Sequence, residues 1–266
     1  MGAVVLNMNR SWKTILAATG FNLLFEYSMR GVNNLLVQPV LPLVLFTVYF
    51  TLYAMLNDLI ARFRLRDFHL LVAAFFFGTL YQFLVSGSAI LLSSVLGVNW
   101  TSLLFVVVVW WGLLQSVLTF YIANRVAPRD WNHRLSRIGW AVMLLLNGSM
   151  VLLFQRSGVI PRATATQLII MAVIVCASAL MFHRTLQRGG QRSFPLQFSR
   201  SVPLDFLCIM TVVIFAFCAV FLMFDPIKAK TSNVNATSTV IVVGWTMLLS
   251  SIALVYRLYS RKPISV

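Results

Sequence analysis

Long apolar runs, each about the length of a membrane crossing, alternate with short basic connections along this chain. A bilayer core of about 30 Å takes about 20 apolar residues of helix. Runs of that kind fall near 12–37, 40–61, 69–95, 101–124, 137–155, 165–183, 204–224 and 237–257. They predict an all-α, polytopic membrane helical bundle of about eight transmembrane helices, forming a single integral membrane domain over residues 1–266. Helices are the expected element because only helices and closed barrels satisfy backbone polar groups in lipid. The runs are too long and too evenly apolar for barrel strands. The first run is long and amphipathic, and Pro39 and Pro42 are expected to end it and start the second in a tight turn.

Composition strengthens this picture. The chain is 60% hydrophobic and 10% charged, against about 25% charged in an ordinary soluble domain. Its net charge of +15 does not point to nucleic acid, because the cations sit between apolar runs rather than on one solvated face. Their distribution instead orients the bundle. With the N-terminus inside, Arg10, Lys13, Arg62, Arg64, Arg66, Arg125, Arg129, Arg134, Arg137, Arg184, Arg188, Arg192, Arg200, Arg257, Arg261 and Lys262 lie on the cytoplasmic side, and only Arg30, Arg156, Arg162, Lys228 and Lys230 on the other. The positive-inside rule therefore places both termini in the cytoplasm. A cleaved signal peptide is not expected, since the first run carries Asn22 and Glu26. The triplets starting at Asn99 and Asn235 fall on the outer side, but both sit too near helix starts to make good glycosylation acceptors.

Every even-numbered run ends in Arg-x-x-x-Arg: Arg62 and Arg66, Arg125 and Arg129, Arg184 and Arg188, Arg257 and Arg261. An ancestral hairpin repeat is one reading. The other is that arginines in a last helical turn favour the negative end of the helix dipole on the side where positive charge is retained. Together with Phe63, Phe68, Trp131, Phe194 and Phe198, these eight arginines form a cytoplasmic basic rim suited to anionic lipid or an acidic partner protein. His69, His133 and His183 share that rim without metal-ligand spacing, and Cys176, Cys208 and Cys218 read as small apolar residues. No metal and no cofactor is expected.

The only glutamate in the chain, Glu26, lies within the first run. At 100° per residue, Asn22, Glu26, Arg30 and Asn33 share one face of a helix. A charge at the bilayer centre costs at least about 2.5–3.5 kcal/mol, so that face is expected to turn inward, with Glu26 and Arg30 paired at i and i+4. Gln82, Ser86, Gln115 and Asn147 lie at similar depth on the third to fifth runs and could complete one buried network with the first. Ala74 and Gly78 offer a small-residue face for close packing. Asp58 precedes Arg62 by four residues and Asp205 falls in the first turn of the seventh run, both with local electrostatic explanations, while Asp225 reads as solvated.

Three functional readings follow. One is a transporter or permease component that passes a small charged solute or proton along Asn22, Glu26, Arg30, Asn33, Gln82, Gln115 and Asn147. A second is a non-catalytic membrane subunit or scaffold that binds partner membrane proteins. The third, a lipid-modifying intramembrane enzyme using Asp58, Asp67 and Asp130, lacks the paired nucleophile and base or the metal triad such chemistry needs.

Overall fold

The computed structural model describes residues 10–65, 67–83, 95–129, 134–156, 164–189, 202–222, 238 and 240–249. Among them the chain is almost wholly helical, with no strand. The helices are α1 (Arg10–Arg30), a short α2 (Asn34–Val37), α3 (Leu41–Phe63), α4 (Asp67–Tyr81), α5 (Trp100–Val126), α6 (Arg137–Arg156), α7 (Ala165–Gly189), α8 (Val202–Phe217) and α9 (Val240–Leu249). Three of these, α3, α5 and α7 over Ala165–Gln187, are long and apolar enough to cross a membrane. The apolar stretches of α4, α6, α8 and α9 are shorter within the described residues.

The first run does not continue to residue 37 as one helix. Gly31 adopts φ +80°, and its N–H bonds back to Tyr27 O at 2.8 Å. That is a left-handed helix end, a conformation glycine reaches at no steric cost. The next amide, Val32 N–H, leaves the helix altogether and donates to Ala219 O at 3.0 Å. Pro42 stands in the first turn of α3, where its missing N–H removes a donor that has no intrahelical partner. The other end of α3 turns on Arg64 at φ +50°, with Leu65 N–H capping Ile60 O at 3.1 Å.

Packing grades the helices from centre to periphery. In α3, 72% of the most apolar window is buried, against 11% in α7. α3 therefore forms the axis of the bundle, and α7 presents most of its apolar surface outward. α1 and α6 flank α3, while α4 packs on α5 and α7, and α8 lies along α1. One apolar cluster gathers Ile15, Leu52, Tyr53, Leu56, Ile60, Leu70 and Phe120 around α3. A second joins Phe21 and Phe25 of α1 to Leu114 of α5, Phe215 of α8 and Val242 of α9. α4 approaches α5 closely at Gly78, where an added Cβ would lie 2.8 Å from Trp111 Cβ. Ala74 is buried on the same helix, and Ser86 lies outside the described residues.

The middle of α5 is wound as a π-helix over Phe105–Leu118. The hydroxyls of Ser116 and Thr119 each donate to a carbonyl five residues back, to Trp111 O and Leu114 O, both at 2.8 Å. π-helical turns are rare and frequently lie at functional sites.

Candidate functional site

α1 runs antiparallel to α3 and α5, and this direction sets the register of their polar side chains. In one rung, Tyr49 of α3 donates its hydroxyl to Glu26 Oε1 at 2.5 Å and accepts from Gln115 Nε2 of α5 at 2.9 Å. Four residues toward the other end, Asn22 Nδ2 donates to Thr119 Oγ1 at 3.0 Å, and Tyr53 reaches the same threonine. The two rungs are joined by Tyr53 Oη, which donates to Gln115 O at 2.7 Å, and by the stacked Tyr49 and Tyr53 rings, 6.2 Å apart. One turn of each helix thus separates the rungs, about 6 Å.

Glu26 also holds Arg30 through a single N–H, Nε to Oε2 at 3.2 Å. The Arg30 side chain is 27% exposed and that of Glu26 10%. Because α1 ends at Arg30, the pair sits at the rim of the helix rather than at its midpoint, with Arg30 open to the outside of the bundle. Asn22 and Gln115 are buried, and each retains one amide oxygen without a hydrogen-bond partner, Oδ1 and Oε1 respectively.

The structure brings together Asn22, Glu26, Arg30 and Gln115 and separates Asn33 and Asn147 from them. Asn33 lies beyond the Gly31 break, off the face of α1, and is only half-buried. Asn147 of α6 binds the opposite face of α3: its Nδ2 donates to Thr51 Oγ1 at 2.8 Å, and its Oδ1 accepts from Tyr81 Oη of α4. Residues 49 and 51 of a helix point about 200° apart, so α3 divides what depth alone suggested was one network. Gln82, next in sequence to Tyr81, is buried. Tyr49, Tyr53 and Thr119 complete the ladder and were not singled out from the sequence. The i, i+4 pair of tyrosines within an apolar run is the signal that carries them.

The helix ends that carry the expected basic rim place several of its arginines against acidic and amide side chains. Asp58, 1% exposed, accepts from Arg62 Nε at 3.0 Å and Nη2 at 3.2 Å, from Leu135 N–H at 2.8 Å and from Trp140 Nε1 at 2.8 Å. Its expected partner on its own helix is there, and two further donors fasten the chain leading into α6. Arg62 Nη2 also donates to Leu135 O at 3.0 Å. Asp205 of α8 binds the Arg125 guanidinium through both oxygens and accepts from Tyr121 Oη at 2.6 Å. It ties α8 to α5, a role its first-turn position did not reveal. Arg129 is buried: its Nε donates to Asn57 Oδ1 at 2.6 Å and its guanidinium lies 4.8 Å from the centre of the Phe120 ring. Burial pushes that guanidinium down to about 9.

Three arginines of the expected rim therefore have partners within the protein, Arg129 buried and Arg62 and Arg125 exposed, and Arg184 is exposed as well. Arg66, Arg257 and Arg261 lie outside the described residues, as do Asp130, Trp131, His133, Phe194, Phe198, Asp225 and Asn235; so do the side chains of Phe68, Asp67 and Arg188. His69 is half-buried, and His183 is exposed with Gln187 Nε2 2.9 Å from its ring. Cys208 and Cys218 are buried thiols in the second apolar cluster, and Cys176 is exposed. No group of three His, Cys, Asp or Glu side chains meets among the described residues. Comparison with protein-family models, curated proteins and solved structures finds no match for this chain.

Proposed function

We propose that the chain is a multi-pass transporter or permease component of about eight spans, with both termini cytoplasmic, which moves a small charged solute or proton. The observation that carries this reading is the ladder on α1, α3 and α5. A carboxylate and a guanidinium at the edge of the bundle continue inward through Tyr49 to Gln115, whose amide oxygen has no partner. A purely structural ion pair would gain most from complete satisfaction of its buried polar neighbours. An incomplete network is what a passing ligand would complete.

Flux through the purified protein in proteoliposomes tests the proposal. Glu26→Gln is expected to abolish flux while the variant is produced and melts close to wild type. Equal loss of folded protein and flux would overturn the reading and leave the pair as a structural lock.

A second reading, a non-catalytic subunit or scaffold of a larger membrane complex, is supported by the outward apolar surface of α7, including Ile169, Val173 and Leu180. Anionic lipids and neighbouring membrane proteins are its natural partners. Purification in a mild detergent separates the two readings. A scaffold is expected to retain stoichiometric partners, and a self-sufficient transporter to remain active alone.

A further inference from the structure

The buried atoms of the ladder that lack partners are of one kind. Asn22 Oδ1 and Gln115 Oε1 are both acceptors. Neither amide can be turned over to repair this. The Thr119 hydroxyl beside Asn22 already donates to Leu114 O, and the Tyr49 hydroxyl beside Gln115 already donates to Glu26. Each hydroxyl can only accept from its amide, so each amide must present N–H there and leave its oxygen over. The two amides stand on successive rungs, Asn22 against Thr119 and Gln115 against the Tyr49 hydroxyl that also holds the Glu26 carboxylate. Their two oxygens lack a donor or a cation.

Charge indicates which. With Arg30 held at Glu26 the pair is neutral, and a second cation would leave the seam with a net positive charge. Arg30, however, is bound through one N–H at 3.2 Å, not through the two-pronged contact a guanidinium makes with a carboxylate at its strongest. It is attached at the last residue of α1 and is the more exposed of the two. Swinging outward, it would leave Glu26 as the countercharge of an incoming ion and restore neutrality. We propose that Asn22, Glu26 and Gln115 form a site for a small monovalent cation, and that Arg30 is a tethered competitor displaced when the cation binds. This assignment rests on the transport reading and names the class of ion, either the solute itself or the ion coupled to it. Oxygen donors suit Na⁺ and K⁺, and N–H donors of ammonium would engage the same three groups.

The experiment is thermal melting of the full chain in detergent at fixed ionic strength and fixed chloride, with Na⁺, K⁺ or ammonium exchanged against N-methylglucamine. Wild type is expected to gain at least about 3 °C in one of the small cations at saturation. Arg30→Gln is expected to gain more, since its competitor is gone. Glu26→Gln and Gln115→Leu are expected to gain nothing. A melting point that ignores cation identity in both wild type and Arg30→Gln overturns the site and means that water satisfies the two amides. A gain kept in both Glu26→Gln and Gln115→Leu also overturns it, as does a gain in Arg30→Gln no larger than in wild type. If either of those two variants fails to fold, the other decides, and the comparison of wild type with Arg30→Gln stands by itself. Glu26-dependent flux without any cation-specific melting shift would leave transport in place and refute only the cation site.

Discussion

At the scale of single residues, position on a helix matters less than the number of donors a buried charge collects. Asp58 and Arg62 illustrate this, being partners of unequal weight. The carboxylate has four donors and is almost fully covered, whereas the Arg62 side chain is 42% exposed. Asp58→Ala strands the Leu135 amide, the Trp140 indole and a guanidinium at once, and is expected to cost about 3–5 kcal/mol. Arg62→Met leaves Asp58 with two neutral donors and is expected to cost about 1–2 kcal/mol. Denaturant titration of the two variants in detergent checks the ranking, and equal losses would contradict it. The sequence spacing revealed the Asp58–Arg62 pair but not its importance. Nothing in the spacing links residue 58 to an amide and an indole about eighty residues away. The same holds for Asp205, whose cation lies three helices earlier, on α5.

At the scale of elements, the helices were legible wherever an apolar run had the length of a crossing. Their ends and faces were less so. The apolar character of the first run continues through Leu35 and Val37, so hydropathy alone hid the turn at Gly31, which depends on backbone geometry. Depth placed Gln115 and Asn147 together, while the direction of each side chain around α3 set them apart. Two glycines expose the difference between a helical position and a packing position. Gly20 of α1 has open space where a Cβ would go, and Gly78 of α4 has Trp111 there. Gly20→Ala is expected to stabilise by about 0.5–1 kcal/mol through helix propensity. Gly78→Ala is expected to destabilise by about 1–3 kcal/mol, because α4 and α5 must separate to admit it. Opposite signs in paired thermal melts are the expected result.

At the scale of the whole molecule, the proposed eight-span arrangement has a consequence that depends on no single side chain. Both termini should lie on the same side of the membrane as the connection between α3 and α4, and opposite the connection between α2 and α3. Single cysteines in a cysteine-free background, placed at Met1, Arg64, Gln38 and Val266, test this with an impermeant thiol reagent on sealed cells. Gln38 alone is expected to react. Labelling of one terminus from outside would mean that the number of crossings is odd.

The acids and their counter-charges also constrain the order in which the molecule is made. Glu26 and Asp58 each meet an arginine one turn later on the same helix, and the arginine that meets Asp205 is synthesised eighty residues before it. No acid whose side chain the structure describes has to await a later segment for its opposite charge. The hydrogen bonds of Tyr49 to Glu26 and of Leu135 and Trp140 to Asp58 come from segments made later than the acid they bind. α1 and α3 therefore each carry the counter-charge of their own acid and α8 meets one already made, so the ladder and the Asp58 junction can close afterwards as later helices arrive.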